Sequence, residues 1–518
     1  MKKIITYSLT LLLGCSLTSV FGQAQGPEKI ATPQRLATPQ GPYPVITIPE
    51  TADPESPDWK GVDLTPSAPV LPLSPQEELK KLELKPGFKL ELVLADPDIQ
   101  EASAIAFDGN GRMYVLELLS YMQNIDAIGE TDPVGRISRH EDKNNDGVYE
   151  THTVFIDKMV FPRFVMPLGD GKSILSMESH QDNVYKYTDT NNDGKADKKE
   201  FFASGFGRGG NVEHQQTFLT WSMDNWLYST YNAVRLRWTP SGVSLREPTG
   251  SPGGAWGVTQ DNYGKTYVQG GASGQPGYFI LPIEYGTFSV ADQLQEGIRT
   301  PYGAPILIAD MQGGMDQVRM PDGSLSSTTA GAGNDVYRGD RLPKDMIGQY
   351  FYGEVVSRVV RRINMEQKEG LVQAQNVYQN EKSEFIRSTD PLFRPVDFAT
   401  APDGTMYIVD MYRGIIQQGT WTNPGSYLRA KVQQYQLDKV VRHGRVWRLT
   451  YEGMERDKTQ PKMYSETPAQ LVKYLGHPNG WWRDMAQQVI IQRQDKSVVP
   501  ALQNIVNTST NQFERFHA

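Results

Sequence analysis

The sequence predicts an all-β fold, and specifically a β-propeller. A unit of apolar strand, Asp-centred turn and second strand ending in aromatic or β-branched residues recurs five times, as AIAFDGNGRMYVLE from Ala104, VMPLGDGKSILSME from Val165, LTWSMDNWLYST from Leu219, GVTQDNYGKTYVQG from Gly257 and VDFATAPDGTMYIVDM from Val396. Most copies are spaced roughly 40 to 60 residues apart, with strand and turn signals and no helical period between them, which is the pattern of propeller blades. A helical period begins only after GRVWRLTYEG, Gly444 to Gly453. A β-sandwich with long insertions is the structural alternative.

In chain order, residues 1–22 have two lysines, an apolar run and small residues, the form of a secretory signal. Cleavage after Gly22 competes with lipid attachment at Cys15, where Leu12-Leu13-Gly14-Cys15 has the form of a bacterial lipobox. The expectation is an exported bacterial protein, periplasmic or membrane-associated, with a lipid anchor in the second case. Residues 23–75 are crowded with proline and predict an extended linker. Ser74-Pro75-Gln76-Glu77-Glu78 predicts a short capped helix. Residues 76–452 then hold the propeller. Residues 463–518 carry apolar positions at helical spacing around a Pro-Asn-Gly break, the expected start of a HEAT-like helical repeat that stops without a capping unit.

Composition removes several functions. The net charge is -8 and no long basic run exists, so nucleic acid is not an expected partner. Cys15 is the only cysteine, so the body has no internal disulfide, thiolate zinc site or haem c attachment.

Two acidic loops point to calcium. In DTNNDGKADKKE, oxygens at Asp189, Asn191, Asp193, Asp197 and Glu200, with Gly194 at the turn, match a twelve-residue calcium loop. The flanking VYKYT and EFF look like strands, so the expectation is a calcium-binding hairpin. A second copy keeps Asp142, Asn144, Asp146 and Glu150 but has Thr153 where the last glutamate belongs. Plain Asn-Asp-Gly turns with solvated acids are the simpler reading of both.

His214 stands between Glu213 and two glutamines, ahead of a predicted inner strand. A neutral imidazole there can take a hydroxyl proton near neutral pH, although on position alone a hydrogen-bonded structural histidine is the favoured reading. Four tryptophans, Trp221, Trp226, Trp238 and Trp256, fall in the same region. They suit sugar rings or the wedges between blades.

With Leu219, Asp224 and Leu227-Tyr228, His214 resembles the pattern of soluble quinoprotein glucose and sorbosone dehydrogenases. NVEHQQTFLTWSMDNWLY, YRGDRLPKDMIGQYFYGE, FRPVDFATAPDGTMYIVDMYRGIIQ and GRVWRL also resemble the large secreted proteins called membrane-bound dehydrogenases, common in Planctomycetes. The resemblance implies a six-bladed propeller, HEAT repeats after it, and oxidation of a sugar or polyol. In that chemistry hydride passes to pyrroloquinoline quinone (PQQ), and His214 is the base. It implies a cytochrome c-type electron acceptor outside this chain, and Arg394 in FRPVDF as a cofactor-binding arginine. The expected Arg-Asn pair is replaced by SPGGAWG, and the lysine after GQYF is absent, with Glu354 nearby. Arg208, Arg235, Arg237 and Arg413 are the candidates to replace them. A catalytically silent propeller that binds a glycan or a protein partner is the second reading. A hydrolase or lyase using Glu213 and Glu354 is the third.

Overall fold

The computed structural model describes residues 42–518 except 208, 243, 251–253, 272–275, 279–296, 305–309, 313–317 and 369–370. The signal sequence, Cys15, the first part of the proline-rich segment and Arg208 lie outside the described residues. Among the described residues no helix is long and apolar enough to cross a membrane.

The strands form antiparallel sheets arranged as a propeller. Sheet I holds Ala102–Phe107, Met113–Glu117, Pro133–Glu141 and Thr151–Val160; sheet II holds Met166–Pro167, Ser173–Ser176, Val184–Thr188 and Lys198–Ala203. Sheet III holds Thr220–Trp221, Leu227–Tyr228, Val234–Arg237 and Leu245–Pro248; sheet IV holds Val258–Gln260, Thr266–Gln269 and Pro276–Tyr278. Sheet V is built on Gly331–Val336, Tyr350–Glu354, Val359–Lys368 and Leu371–Asn376, with Ile386–Ser388 and Leu82–Leu84 added at its edge. Sheet VI holds Pro395–Thr400, Met406–Asp410, Arg445–Tyr451 and Phe88–Ala95. Five sheets therefore have four or more strands and are full blades, while sheet IV has three described strands, so the described residues do not carry the expected count of six full blades.

The recurring aspartates explain the repeat seen in the sequence. Asp108, Asp170, Asp224, Asp261 and Asp403 each accept from the backbone N–H two residues on, at 2.8–3.0 Å, and so fold the turn between first and second strands. Inner strands crowd at the axis. Gly333 has φ +43°, and a Cβ there would lie 2.1 Å from the Val396 carbonyl oxygen, so only glycine lets sheets V and VI meet. The ring closes when Phe88–Ala95 pairs with Arg445–Tyr451, with Leu90 opposite Leu449. One sheet thus joins both ends of the propeller sequence, which removes the exposed edge an open ring would leave.

Helix α1, Pro75–Leu79, has the expected capping box: Ser74 accepts from Glu77 N and the Glu77 side chain accepts from Ser74 N. The proline-rich segment before it holds no helix or strand over 42–73 but folds into successive turns over 50–61, with Trp59 N donating to Ser56 O and Val62 N to Trp59 O, and it is more than a spacer. Trp59 is buried, with Ile46, Ile48, Val62 and Leu64, against Tyr427 and Ala430 of helix α2, Tyr427–Tyr435. Val70 N donates to Tyr435 O at 3.0 Å. Proline prevents ladder hydrogen bonds without preventing burial of the apolar residues between the prolines.

The C-terminal residues are helical as expected: α3 is Pro468–Val472, α4 Gly480–Arg493, α5 Val499–Thr508 and α6 Gln512–His517. Asn479 caps α4 through Trp481 N. Helix α4 lies across the turn face of the propeller and reaches five sheets. Gln488 Nε2 donates to Pro167 O (2.8 Å), Gln487 Nε2 to Met223 O (2.8 Å) and Trp482 Nε1 to Pro402 O (2.9 Å). Asp484 accepts from Gln260 Nε2 (3.2 Å) and pairs with Arg338. Sheet I is held by Tyr464 just ahead of these helices, whose hydroxyl accepts from Gly109 N at 2.9 Å.

Candidate functional site: the axial mouth

Two cavities lie along the propeller axis. One of about 230 Å³ is bordered by the inner strands of all six sheets and the Trp481, Asp484, Met485 and Gln488 side chains of α4. The other, of about 500 Å³, sits at the opposite ends of the inner strands and forms the mouth. Its wall is mostly apolar or aromatic, including Leu118, Tyr121, Phe161, Trp256, Met311, Val355, Met411 and Trp421, with polar edges at Thr328, Thr329 and Gln417. Its titratable lining groups among the described residues are Tyr121, Glu213 and His214.

Glu213 and His214 are delivered by a 3-10 turn, Val212–His214, just ahead of sheet III. Arg163 holds that turn, an arginine the sequence reading missed. Its guanidinium is buried and donates to Val212 O (2.8 Å), Gln215 O (3.1 Å) and Gln216 O (2.9 Å). It also lies 4.9 Å from the Trp256 ring centroid. One rigid planar cation therefore fixes both the turn and an aromatic wall.

The Tyr121 hydroxyl donates to Glu213 Oε1. Burial pushes the Glu213 carboxyl up to about 8; the Glu130 carboxylate adds to the rise, while the Tyr121 hydroxyl and Arg413 oppose it. Glu213 is thus largely protonated at neutral pH and able to exchange a proton there.

His214 is also oriented by its neighbours. Asn211 Oδ1 accepts from Glu213 N at 2.7 Å, which fixes the amide and leaves Asn211 Nδ2 facing His214 Nδ1 at 2.9 Å. With Nδ1 accepting, the neutral imidazole carries its proton on Nε2. In this arrangement Nε2–H is a donor, whereas the expected base role requires an Nε2 lone pair.

The expected cofactor arginines are placed elsewhere. Arg394 is fully buried: Nη2 lies 2.6 Å from Asp310 Oδ2, Nη1 donates to Val355 O at 2.7 Å and Nε to Arg413 O at 3.1 Å. Arg413 is also fully buried, 2.7 Å from Glu101, and it stacks behind Tyr121 with its guanidinium 4.7 Å from the ring centroid. Arg235 pairs with Glu247 at 2.7 Å on the outer strands of sheet III, beside Trp226, and Arg237 lies over the same ring. None of the four lines the mouth. Glu354 is buried and accepts from Thr329 N (3.0 Å) and Ala330 N (2.8 Å), so it shapes the rim and is not paired with Glu213. Of the four tryptophans named from sequence only Trp256 lines the mouth; Trp421 lines it too and was missed.

The described donors of the mouth do not match tricarboxylate PQQ. The described wall offers no lysine or arginine. Of the candidate arginines Arg208 lies outside the described residues, and among the described lining residues the carboxylates would lack the paired cations that hold them in a low-dielectric site.

Of the acidic loops, Asp142, Asp146 and Glu150 bring carboxylate oxygens within 4.8 Å of one another. In the other loop Asp189, Asn191 and Asp193 stay together in the turn. Glu200, however, sits on a strand 2.9 Å from Lys198, and Asp197 accepts from Thr190 N at 3.0 Å. The twelve-residue ligand set expected from the sequence is therefore not assembled, because the strand begins at Lys198 and alternation carries Glu200 away.

Residues 74–453 match the family described as a domain of unknown function, DUF7133. The chain belongs to that family. No curated protein matches the sequence. Among solved structures, a luciferin-regenerating enzyme is similar at 10% identity and a TM-score of 0.40, over 71% of this chain and 97% of that one. A glucose dehydrogenase is similar at 11% identity and a TM-score of 0.41, over 70% and 98%. The PQQ-bound aldose sugar dehydrogenase of Streptomyces coelicolor is similar at 12% identity and a TM-score of 0.35, over 71% and 99%. At such identities the propeller assignment of this DUF7133 member rests on its own sheets.

Proposed function

We propose that the axial mouth binds an uncharged, hydroxyl-bearing ligand of the sugar or polyol class. The observation that carries this is the wall itself: aromatic faces at Tyr121, Trp256 and Trp421, polar edges, and no lysine or arginine among the described lining residues. Aromatic faces cover the C–H surfaces of a sugar ring while donors meet its oxygens. The protonated Glu213 carboxyl is one such donor, and it is the group able to exchange a proton with a bound hydroxyl near neutral pH. We count sheet IV as the sixth blade. Work outside the cytoplasm belongs to the same proposal and is supported by the N-terminal sequence.

This reading stands closer to a glycan-binding propeller than to a quinone-dependent dehydrogenase. Calorimetric titration with neutral mono- and disaccharides and polyols tests it. At least one is expected to bind saturably and to lose affinity in Trp256→Ala. A folded protein that binds none of them refutes the proposal.

A further inference from the structure

The hairpin between Val184–Thr188 and Lys198–Ala203, on the outer side of sheet II, takes no part in the mouth. Within it Asp189 is 3% exposed. Its Oδ2 accepts from Gly194 N at 2.9 Å, which turns the carboxylate into the loop. Its other oxygen, Oδ1, is buried without a hydrogen-bond partner. Such an oxygen is costly unless a water or an ion meets it. Arg139 does not meet it, because Nη1 lies 3.8 Å from Oδ2, and Nη2 lies 3.3 Å from Glu141.

Two further oxygen-bearing side chains share the turn. Asn191 Oδ1 accepts from Asp193 N at 3.0 Å, and Asp193 Oδ1 accepts from Lys195 N at 2.8 Å. The hairpin from Asp142 repeats these bonds, with Asp142 Oδ2 accepting from Gly147 N (2.8 Å) and Asn144 Oδ1 from Asp146 N (2.8 Å). There, however, Asp142 Oδ1 accepts from Asp146 N at 3.1 Å, so the first aspartate has no oxygen left over. The two loops thus share a frame and differ in one unsatisfied carboxylate oxygen.

We propose that the loop from Asp189 to Lys195 binds a calcium ion through Asp189 Oδ1, with oxygens of Asn191 and Asp193 and water completing the shell. The hard oxygen set suits calcium, and the short loop replaces the twelve-residue one. The ion would also join two blades. Ala196 N donates to Phe155 O of sheet I at 2.8 Å, and a Cβ on Gly194 would lie 2.9 Å from Arg139 Nη2 of the same sheet.

The test is calorimetric titration of calcium chloride into the full chain stripped with EDTA, alongside thermal melts. Wild type is expected to take up calcium, with a melting temperature that rises as the site fills. Asp189→Asn keeps an acceptor for Gly194 N and loses the charge. It should weaken the site roughly tenfold or more, as should Asp193→Asn at an exposed position that leaves folding intact. Asp142→Asn should leave the site unchanged. Absence of calcium uptake by wild type, or loss of the site in Asp142→Asn with retention in both other variants, would overturn the assignment.

Discussion

Arg394 Nη2 lies 2.6 Å from Asp310 Oδ2, and both side chains are buried. Arg358 Nη2 reaches the other oxygen of the same carboxylate at 2.8 Å. Burial opposes ionisation of Asp310, yet the two guanidinium groups hold its carboxyl below the usual range. The arginine whose sequence position suggested a cofactor ligand is thus committed to a buried ion cluster beneath the mouth.

Replacing Arg394 by methionine leaves Asp310 with one cation in place of two. Breaking a buried pair costs about 3 to 5 kcal/mol, and chemical denaturation should show a loss of that order, without a separate change in ligand affinity among molecules that remain folded.

Arg163→Met removes the donors that hold the carbonyls of Val212, Gln215 and Gln216. Hydrogen bonds from a charged group are worth about 1.5 to 3 kcal/mol each. Stability should fall, and ligand affinity should fall further because the turn carrying Glu213 and His214 is released. Equal ligand affinity in wild type and variant would show that the turn does not shape the site.

Glu213 sets a pH dependence. Its carboxyl is raised from 4.5 to about 8 in the fold, so between those values the folded protein keeps a proton that the unfolded chain has released. Linkage then makes stability fall as pH rises through that window. Thermal melts from pH 4.5 to 8 should show this slope, and Glu213→Gln should flatten it.

Helix α4 closes the turn face through groups from five sheets. Trp482 is 1% exposed with its indole N–H on Pro402 O, so Trp482→Ala should cost about 3 to 5 kcal/mol. Removal of residues 463–518 should lower the melting temperature of the propeller itself; an unchanged melt would show that the helices are an independent unit.

Much of the fold was legible because one physical device recurs: an aspartate that caps its own turn writes Asp-Gly or Asp-Asn between two apolar runs. Sheet V lacked the signal. Its first two strands are joined by a longer connection with a 3-10 turn at Lys344–Met346, and no Asp-centred hairpin marks it. The site was less legible. His214 and Trp256 were found, but a sequence does not say whether a guanidinium faces a cavity or a row of carbonyls. Arg163 and Arg394 both stand beside proline and phenylalanine just before an inner strand, in FPRF and LFRP, and both clamp backbone carbonyls. That shared position was the available signal. Tyr121 and Trp421 come from loops outside the repeated unit, so periodicity gave no reason to place them in the mouth.

The most direct measurement is equilibrium titration of the protein with PQQ and, separately, with neutral saccharides, following tryptophan fluorescence from Trp256 and Trp421 at the mouth. The account predicts a saturable response to a neutral saccharide and none to PQQ; tight PQQ binding that is lost in Trp256→Ala, with no response to any neutral sugar, would contradict it.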